Sequence, residues 1–97
     1  MLLAIDVGNT NITLGVFEGE KLKASWRLAP DVSRLADEYG VLMVNLLAHE
    51  GVDCAEIDAA VIASVVPDLD PVFEAVCRRY FSVRPLVVSA GVRTGLR

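Results

Sequence analysis

The spacing of the apolar residues changes at Pro30, and this change constrains the fold more than any other feature of the sequence. Before it, residues 21–28 alternate between polar and apolar side chains, which is the period of a half-buried β-strand. After it, over residues 33–50, the apolar side chains fall on one helical stripe: Leu35, Tyr39, Leu42, Met43, Leu46 and Leu47. We expect Ser33 to cap this helix and Gly51 to end it. The chain therefore combines strands with an amphipathic helix.

Two short strands are predicted before the alternating one. Residues 2–6 form an apolar run that ends in an acid, and residues 11–17 are apolar and β-branched. Residues 7–10 join them as a turn, since its glycine and asparagine tolerate positive φ angles. In the third strand, residues 21–28, one face should carry Leu22, Ala24, Trp26 and Leu28. Three consecutive strands with tight turns predict an antiparallel meander.

A second group of elements follows the first helix. Residues 59–66 predict a buried strand, and residues 84–89 predict a fifth strand. Between them, Asp70 resembles an N-cap, with Pro71 at the first helical position. The stripe of this second helix contains Leu69, Val72, Phe73, Val76 and Tyr80. The order β-β-β-α-β-α-β is typical of the α/β ribonuclease-H-like (actin-like ATPase) half-domain, in which helices cover a mixed sheet.

Composition and charge exclude several classes of protein. The 97 residues are 54% hydrophobic and 23% charged, which describes a globular domain and not a disordered tail. The net charge is -4 and Arg78-Arg79 is the only pair of adjacent cations, so we expect no nucleic-acid partner. Cys54 and Cys77 fit no metal spacing and should be reduced thiols. With no signal peptide and no long apolar run, we expect a cytoplasmic protein without a membrane partner.

The segment between the first two strands carries the polar groups of a phosphate site. Asp6 ends the first strand, where its carboxylate can hold Mg²⁺ directly or through water. Gly8 lacks a Cβ, so the backbone can approach a phosphate closely. Hydrogen bonds to phosphate oxygens can come from the turn amides and from the side chains of Asn9, Thr10, Asn11 and Thr13. Because the segment contains no lysine, ATP would bind there with Mg²⁺; the alternative is an ordinary hairpin turn.

Three stretches together resemble one family. They are Asp6-Val7-Gly8-Asn9-Thr10-Asn11, then Trp26-Arg27-Leu28 with Ala36-Asp37-Glu38-Tyr39-Gly40, and Ser64-Val65-Val66-Pro67. In order and spacing the chain is similar to the type III pantothenate kinases of the acetate and sugar kinase, Hsp70 and actin superfamily. The resemblance implies a homodimer that transfers phosphate from ATP to the 4′-hydroxyl of pantothenate, the first step of coenzyme A synthesis. It also implies a divalent metal such as Mg²⁺ and a monovalent cation, K⁺ or NH4⁺.

The resemblance assigns the site residues one by one. The nucleotide-phosphate loop would consist of Asp6, Val7, Gly8, Asn9, Thr10, Asn11, Ile12 and Thr13, with Asp6 also at the metal. The family's proton acceptor is an aspartate in a Gly-Ala-Asp-Arg motif, which does not occur in these residues. We expect that aspartate to lie beyond Arg97, and we therefore assign no catalytic residue. Residues 1–97 should be a truncated first domain, lacking the second domain, and the isolated chain should be inactive as a kinase.

Other polar residues have simpler explanations. Asp37 and Glu38 point about 100° apart on a helix, which favours a solvated helix start over a catalytic pair and leaves open a family-specific role for one of them. Asp68 and Asp70 suit cap and turn positions. Ser64 could line the cleft at a strand end or form a turn there, and the sequence leaves both open.

Three alternative functions remain at this point. A non-catalytic nucleotide-binding or regulatory accessory factor would share the loop without turnover. A ribonuclease-H-like nuclease would need clustered carboxylates, yet the fourth strand ends in Ser64-Val65-Val66. Another kinase of the superfamily would accept a sugar or an acid.

Overall fold

The computed structural model describes residues 1–89 and contains the predicted order of strands and helices. Short 3-10 turns at Cys54–Glu56 and Pro67–Leu69 precede the fourth strand and the second helix. The predicted order β-β-β-α-β-α-β is confirmed. The main elements are β1 (Leu2–Val7), β2 (Ile12–Glu18), β3 (Lys21–Leu28), α1 (Ala36–His49), β4 (Ala59–Ser64), α2 (Asp70–Phe81) and β5 (Leu86–Ser89).

The segment from Ala90 to Arg97, for which the sequence predicted no element, lies outside the described residues. The expectation that the family's proton acceptor lies beyond Arg97 is not tested by residues 1–89. It therefore stays a prediction.

The five strands form one mixed sheet in the order β3-β2-β1-β4-β5. The pairs β1–β2 and β2–β3 are antiparallel, which confirms the meander, whereas β1–β4 and β4–β5 are parallel. Consequently β1, β3, β4 and β5 all run in the same direction. Their carboxyl ends define what we call the carboxyl edge of the sheet, and the turn between β1 and β2 lies on this edge.

Both helices contribute to a core on one face of the sheet, which we call the covered face. Alternate residues of the central strands reach the core, as the period of two requires. From β1, β2 and β4 these are Leu3, Ile5, Val7, Ile12, Leu14, Val16, Ala60 and Ile62. Tyr39 of α1 stacks on Phe73 of α2 with ring centroids 4.8 Å apart. On the opposite or open face, the described residues provide no helix, and that face carries Asp6, Thr13 and Gly15.

The start of α1 differs from the prediction. Ser33 is not its cap, because the Asp31 carboxylate accepts hydrogen bonds from the Ser33 amide (3.0 Å) and hydroxyl (2.6 Å). This bond to Ser33 also lowers the pKa of Asp31. The helix begins after Leu35, whose N–H donates to the Glu38 carboxylate at 2.7 Å. Leu35 is 68% exposed and therefore lies off the buried stripe, in which Tyr39, Met43 and Leu47 are fully buried.

Other predicted boundaries shift for local reasons. The fourth strand stops at Ser64 instead of residue 66, because the Ser64 hydroxyl folds back onto Val66. The fifth strand starts at Leu86, after Pro85, which has no N–H for a strand ladder. Asp70 has helical dihedrals and is the first residue of α2, so it is not the N-cap. Gly51 follows α1 with φ of 76°, as its predicted role requires.

A bulge changes the face of Leu22. The pairing passes from Val16–Ala24 to Phe17–Leu22, so one residue of β3 is skipped. Leu22 then lies on the open face and is 51% exposed, whereas the prediction placed it with Ala24, Trp26 and Leu28. An added Cβ on Gly15 would be 3.3 Å from the Leu22 side chain, which shows how closely this side chain covers Gly15.

The two cysteines are free thiols, as predicted. Cys77 is fully buried in α2, and burial raises the pKa of its thiol to about 11. A thiol in this state is a small apolar core residue and not a nucleophile. Within residues 1–89, neither helix is long and apolar enough to cross a membrane.

Candidate functional site

The turn between β1 and β2 leaves backbone donors free at the carboxyl edge. The last strand pair is Val7–Ile12, and beyond it the Gly8 N–H donates to the Asn11 carbonyl at 2.9 Å. Asn9, Thr10 and Asn11 are exposed. In the described part of the chain, the backbone N–H groups of these three residues donate to no backbone carbonyl. Three neighbouring free amides at a turn can bind an anion.

Gly8 is favoured by a close backbone contact and not by its φ angle. Among residues 1–89, positive φ occurs only at Gly19, Gly51 and Ser82, so the predicted turn forms without the positive φ angles that its glycine and asparagine would tolerate. A Cβ on Gly8 would instead be 3.1 Å from the Asn11 carbonyl oxygen. The hydrogen bond across the turn brings these two backbones together, and a side chain would push them apart. The glycine therefore fixes the shape that exposes the neighbouring amides.

Val7 and Ile12 attach the turn to the core on the covered face. Both side chains are fully buried on the covered face. The Val7 carbonyl also accepts the Val65 N–H at 3.0 Å, which ties the end of β4 to the base of the turn. Only the backbones of Val7 and Ile12 are available to a ligand, although the sequence grouped both with the loop.

Asp6 and Thr13 face each other across β1 and β2 on the open face. Both are exposed, and they line an open hollow of about 390 Å³ whose other walls are mostly apolar. Within residues 1–89, the Asp6 carboxylate forms neither an ion pair nor a hydrogen bond. A free carboxylate next to a hydroxyl and to free amides has the donor set of a magnesium-phosphate site.

A metal at Asp6 would need ligands from outside the described residues. Nowhere in residues 1–89 do three His, Cys, Asp or Glu side chains gather closely enough to hold an ion. Mg²⁺ commonly binds one or two carboxylates and takes its remaining ligands from water and substrate phosphates. The isolated Asp6 carboxylate fits that pattern and does not fit an all-protein metal cage.

Ser64 forms a turn and does not point into the site. Its hydroxyl accepts the Val66 N–H at 3.0 Å and donates to the Val66 carbonyl at 3.2 Å. It is 6% exposed and pairs with Val7, so its side chain lies on the covered face. Of the two interpretations that the sequence left open, the structure supports the strand-end turn.

Comparison with known proteins identifies the family. The family model described as type III pantothenate kinase matches residues 2–97. This chain belongs to the type III pantothenate kinase family. It is 51% identical over 96 residues to the type III pantothenate kinase of Pelobacter propionicus and 50% identical over 96 residues to that of Myxococcus xanthus. It is 53% identical over 97 residues to the type III pantothenate kinase of Roseiflexus sp..

These matches cover nearly all of this chain but a minor part of each relative. They include 99%, 99% and 100% of the chain, and 38% of each of the three relatives. The chain thus spans less than two fifths of the length of the type III pantothenate kinases that it matches.

Solved structures confirm the predicted fold class. The chain resembles a putative N-acetylglucosamine kinase from Porphyromonas gingivalis with a TM-score of 0.65 and 16% identity, over 92% of this chain and 34% of that one. It resembles the ROK hexokinase of Thermus thermophilus with a TM-score of 0.67 and 15% identity, over 91% and 34%. At these identities the likeness concerns the fold alone, which is the ribonuclease-H-like, actin-like ATPase fold.

Asp37 and Glu38, which lie in a stretch that resembles the type III pantothenate kinases, bind groups of the protein itself. Glu38 caps α1 at Leu35, and Asp37 accepts the Tyr80 hydroxyl at 2.8 Å and the Arg79 guanidinium at 3.4 Å. The bond to Asp37 raises the pKa of Tyr80. The Asp37 contacts link α1 to α2, while the Glu38 bond lies within the start of α1, and both support the predicted helix-start role over a catalytic pair.

Two features of this family member were not predicted from its sequence. Asp70 Oδ1 is buried without a hydrogen-bond partner among residues 1–89, whereas the sequence indicated a cap. The link between Asp37 and Tyr80 joins residues 43 positions apart. Helical spacing showed that both lie on helices, but nothing local indicated that they meet.

Proposed function

We propose that this chain supplies the nucleotide-phosphate loop of an ATP-dependent pantothenate kinase. The observation that carries the proposal is the row of backbone amides at Asn9, Thr10 and Asn11, next to the Asp6 carboxylate, all without a hydrogen-bond partner among residues 1–89. Membership of the type III pantothenate kinase family supports pantothenate as the phosphate acceptor. The same membership favours a kinase over a nuclease or a regulatory factor.

Each residue of the loop has a role in this proposal. The amides of residues 9–11, with the side chains of Asn9, Thr10 and Thr13, donate hydrogen bonds to phosphate oxygens. Gly8 keeps the backbone close to the phosphates, while Val7 and Ile12 hold the turn to the core. Asp6 would hold Mg²⁺, which neutralises phosphate charge when bound. Phosphoryl transfer depends chiefly on such positioning and charge stabilisation.

The remaining parts of the enzyme belong to the proposal as well. We expect residues 1–97 to act as a first domain, together with a segment beyond Arg97 that provides the proton acceptor and a second domain that completes the adenosine and pantothenate pockets. The complete enzyme would use K⁺ or NH4⁺, form a homodimer and work in the cytoplasm. The 97 residues alone would not transfer phosphate, because the family's Gly-Ala-Asp-Arg motif is not among them.

A chimeric enzyme tests this function. These 97 residues would replace the matching part of the Roseiflexus sp. relative, to which they are 53% identical. We expect the chimera to form 4′-phosphopantothenate from ATP and pantothenate, at a rate within about tenfold of the parent, because each tenfold corresponds to only about 1.4 kcal/mol of barrier. The parent enzyme is the control. A chimera that folds and melts like the parent yet forms no product contradicts the proposal.

A further inference from the structure

We propose that Arg27 of β3 is a phosphate-binding residue that supplies the positive charge missing from the turn itself. This inference rests on the proposed function, since it names a further residue of the same site. The sequence drew attention to Trp26-Arg27-Leu28 only as a stretch that resembles the family, and the loop assignment gives Arg27 no role.

The register of the first three strands places Arg27 in one row with two residues of the site. Asp6 pairs with Thr13, and Thr13 pairs with Arg27. Residues directly opposite each other on neighbouring strands point to the same face of the sheet. Strands lie about 4.8 Å apart, so Arg27 and Asp6 are separated by about 10 Å with the Thr13 hydroxyl between them. All three residues are exposed on the open face, next to the carboxyl edge.

The other cations of residues 1–89 are engaged or lie elsewhere. Lys23 pairs with Glu18, Arg78 with Glu74, and Arg79 with Asp37. Arg34 lies over the Tyr39 ring at 5.2 Å. Lys21 begins β3 and Arg84 precedes β5, so both lie at the edge opposite the carboxyl edge. Arg27 is therefore the described cation that has no ion pair within residues 1–89 and stands near the turn.

The chemistry of a polyphosphate fits this row. The turn offers uncharged donors, and the Asp6 carboxylate repels phosphate unless a cation is present. A guanidinium presents parallel N–H groups that match two phosphate oxygens, and it stays charged at every working pH. A chain of phosphates lying over Thr13 would contact the turn amides at the carboxyl edge. It would also contact Arg27 on the neighbouring strand β3.

A simpler explanation is that Arg27 only keeps an edge strand soluble. β3 is an edge strand of the sheet, and charged side chains on edge strands prevent pairing with other chains. That role predicts no effect of Arg27 on phosphate binding, so the two explanations differ in a measurable quantity.

Titration of the 97-residue chain with magnesium tripolyphosphate tests the inference, with the amide signals of Gly8, Asn9 and Thr10 as the readout. This probe contains phosphates and no nucleoside. We expect Arg27→Gln to raise the dissociation constant by about tenfold to a hundredfold, as for loss of a charged hydrogen-bonding group. Arg27→Lys should restore part of the affinity. Arg84→Gln, which removes an equal charge at the opposite edge, should change the constant by less than about twofold, as expected for a charge beyond the screening length.

The possible results separate this inference from the proposed function. Unchanged affinity in Arg27→Gln, or an equal loss in Arg84→Gln, overturns the role of Arg27 and leaves the loop as a phosphate site. Absence of any shift in the unsubstituted chain overturns the proposed loop and the role of Arg27 with it. Preserved dispersion of the other amide signals shows that each variant is folded. If Arg27→Gln does not fold, Arg27→Met removes the same charge and is the second variant for the same comparison.

Discussion

Replacing Gly40 by alanine is expected to destabilise the chain by about 1–3 kcal/mol, the usual cost of overpacking. Gly40 lies within α1, where alanine is normally better by about 1 kcal/mol. Here, however, an added Cβ would overlap Cδ1 and Cε1 of Tyr80 and would be 2.8 Å from its Cγ. Cγ lies close to the backbone of α2, so rotation of the ring does not remove the overlap. Either the helices separate or Tyr80 leaves its position and loses its bond to Asp37.

A double-mutant cycle isolates this contact. Urea unfolding would give the free energy of unfolding of Gly40→Ala with Tyr80 present and in the background of Tyr80→Ala. Without the ring, we expect alanine at position 40 to be neutral or to stabilise the chain by up to about 1 kcal/mol. Ala48→Gly, at an exposed position of the same helix, measures helix propensity alone. An equal cost of Gly40→Ala in both backgrounds would show that contact with the Tyr80 ring does not cause the destabilisation.

Replacing Asp6 by asparagine is expected to lower kcat/KM of the chimeric kinase for ATP by at least about 100-fold. Loss of a partner to a metal ligand already costs about 10–100-fold, and loss of the ligand's own charge should cost more. Asparagine keeps the size of the side chain, and Asp6 is exposed without a partner in residues 1–89. The melting temperature should therefore stay the same, so that the loss reports on the site.

The control for Asp6→Asn is Glu20→Gln in the same chimera. Glu20 is also exposed, and it lies in the turn between β2 and β3, at the edge opposite the phosphate loop. Glu20→Gln removes the same charge as Asp6→Asn. We expect it to change kcat/KM by less than twofold, because exposed charges beyond about 10 Å are largely screened. If Asp6→Asn left kcat/KM within about threefold of the unsubstituted chimera, less than 1 kcal/mol of barrier, Asp6 would have no essential role in phosphoryl transfer.

The elements were predictable because their signals are local. The alternation over Lys21–Leu28 gave β3 with its observed bounds, and the order of the remaining elements followed from their periods. Their ends were harder to predict, because several polar groups compete for the same backbone donors. The Ser33 amide donates to Asp31 and the Leu35 amide donates to Glu38. The helix therefore starts after Leu35, and Ser33 does not cap it.

In the candidate site, too, the features that depend on neighbouring residues were predictable, and those that depend on the folded structure were not. Asp6, Gly8 and Asn9 are close in sequence, so their chemistry could be recognised from the sequence alone. The reason for Gly8 could not, since its contact with the Asn11 carbonyl depends on the exact shape of the turn. The position of Arg27 beside Thr13 depends on the pairing of two strands, and the bulge at Leu22 shows that such a register does not follow from alternation alone.

An amide NMR titration of this chain with Mg-ATP tests most directly whether the turn between β1 and β2 binds nucleotide phosphates. We expect shifts centred on Gly8, Asn9 and Thr10 that weaken strongly in Asp6→Asn, while Gly19 and Glu20 in the opposite turn stay unchanged. A well-dispersed spectrum in which residues 8–10 do not respond, or respond equally in Asp6→Asn, would contradict the assignment of this turn as a phosphate site.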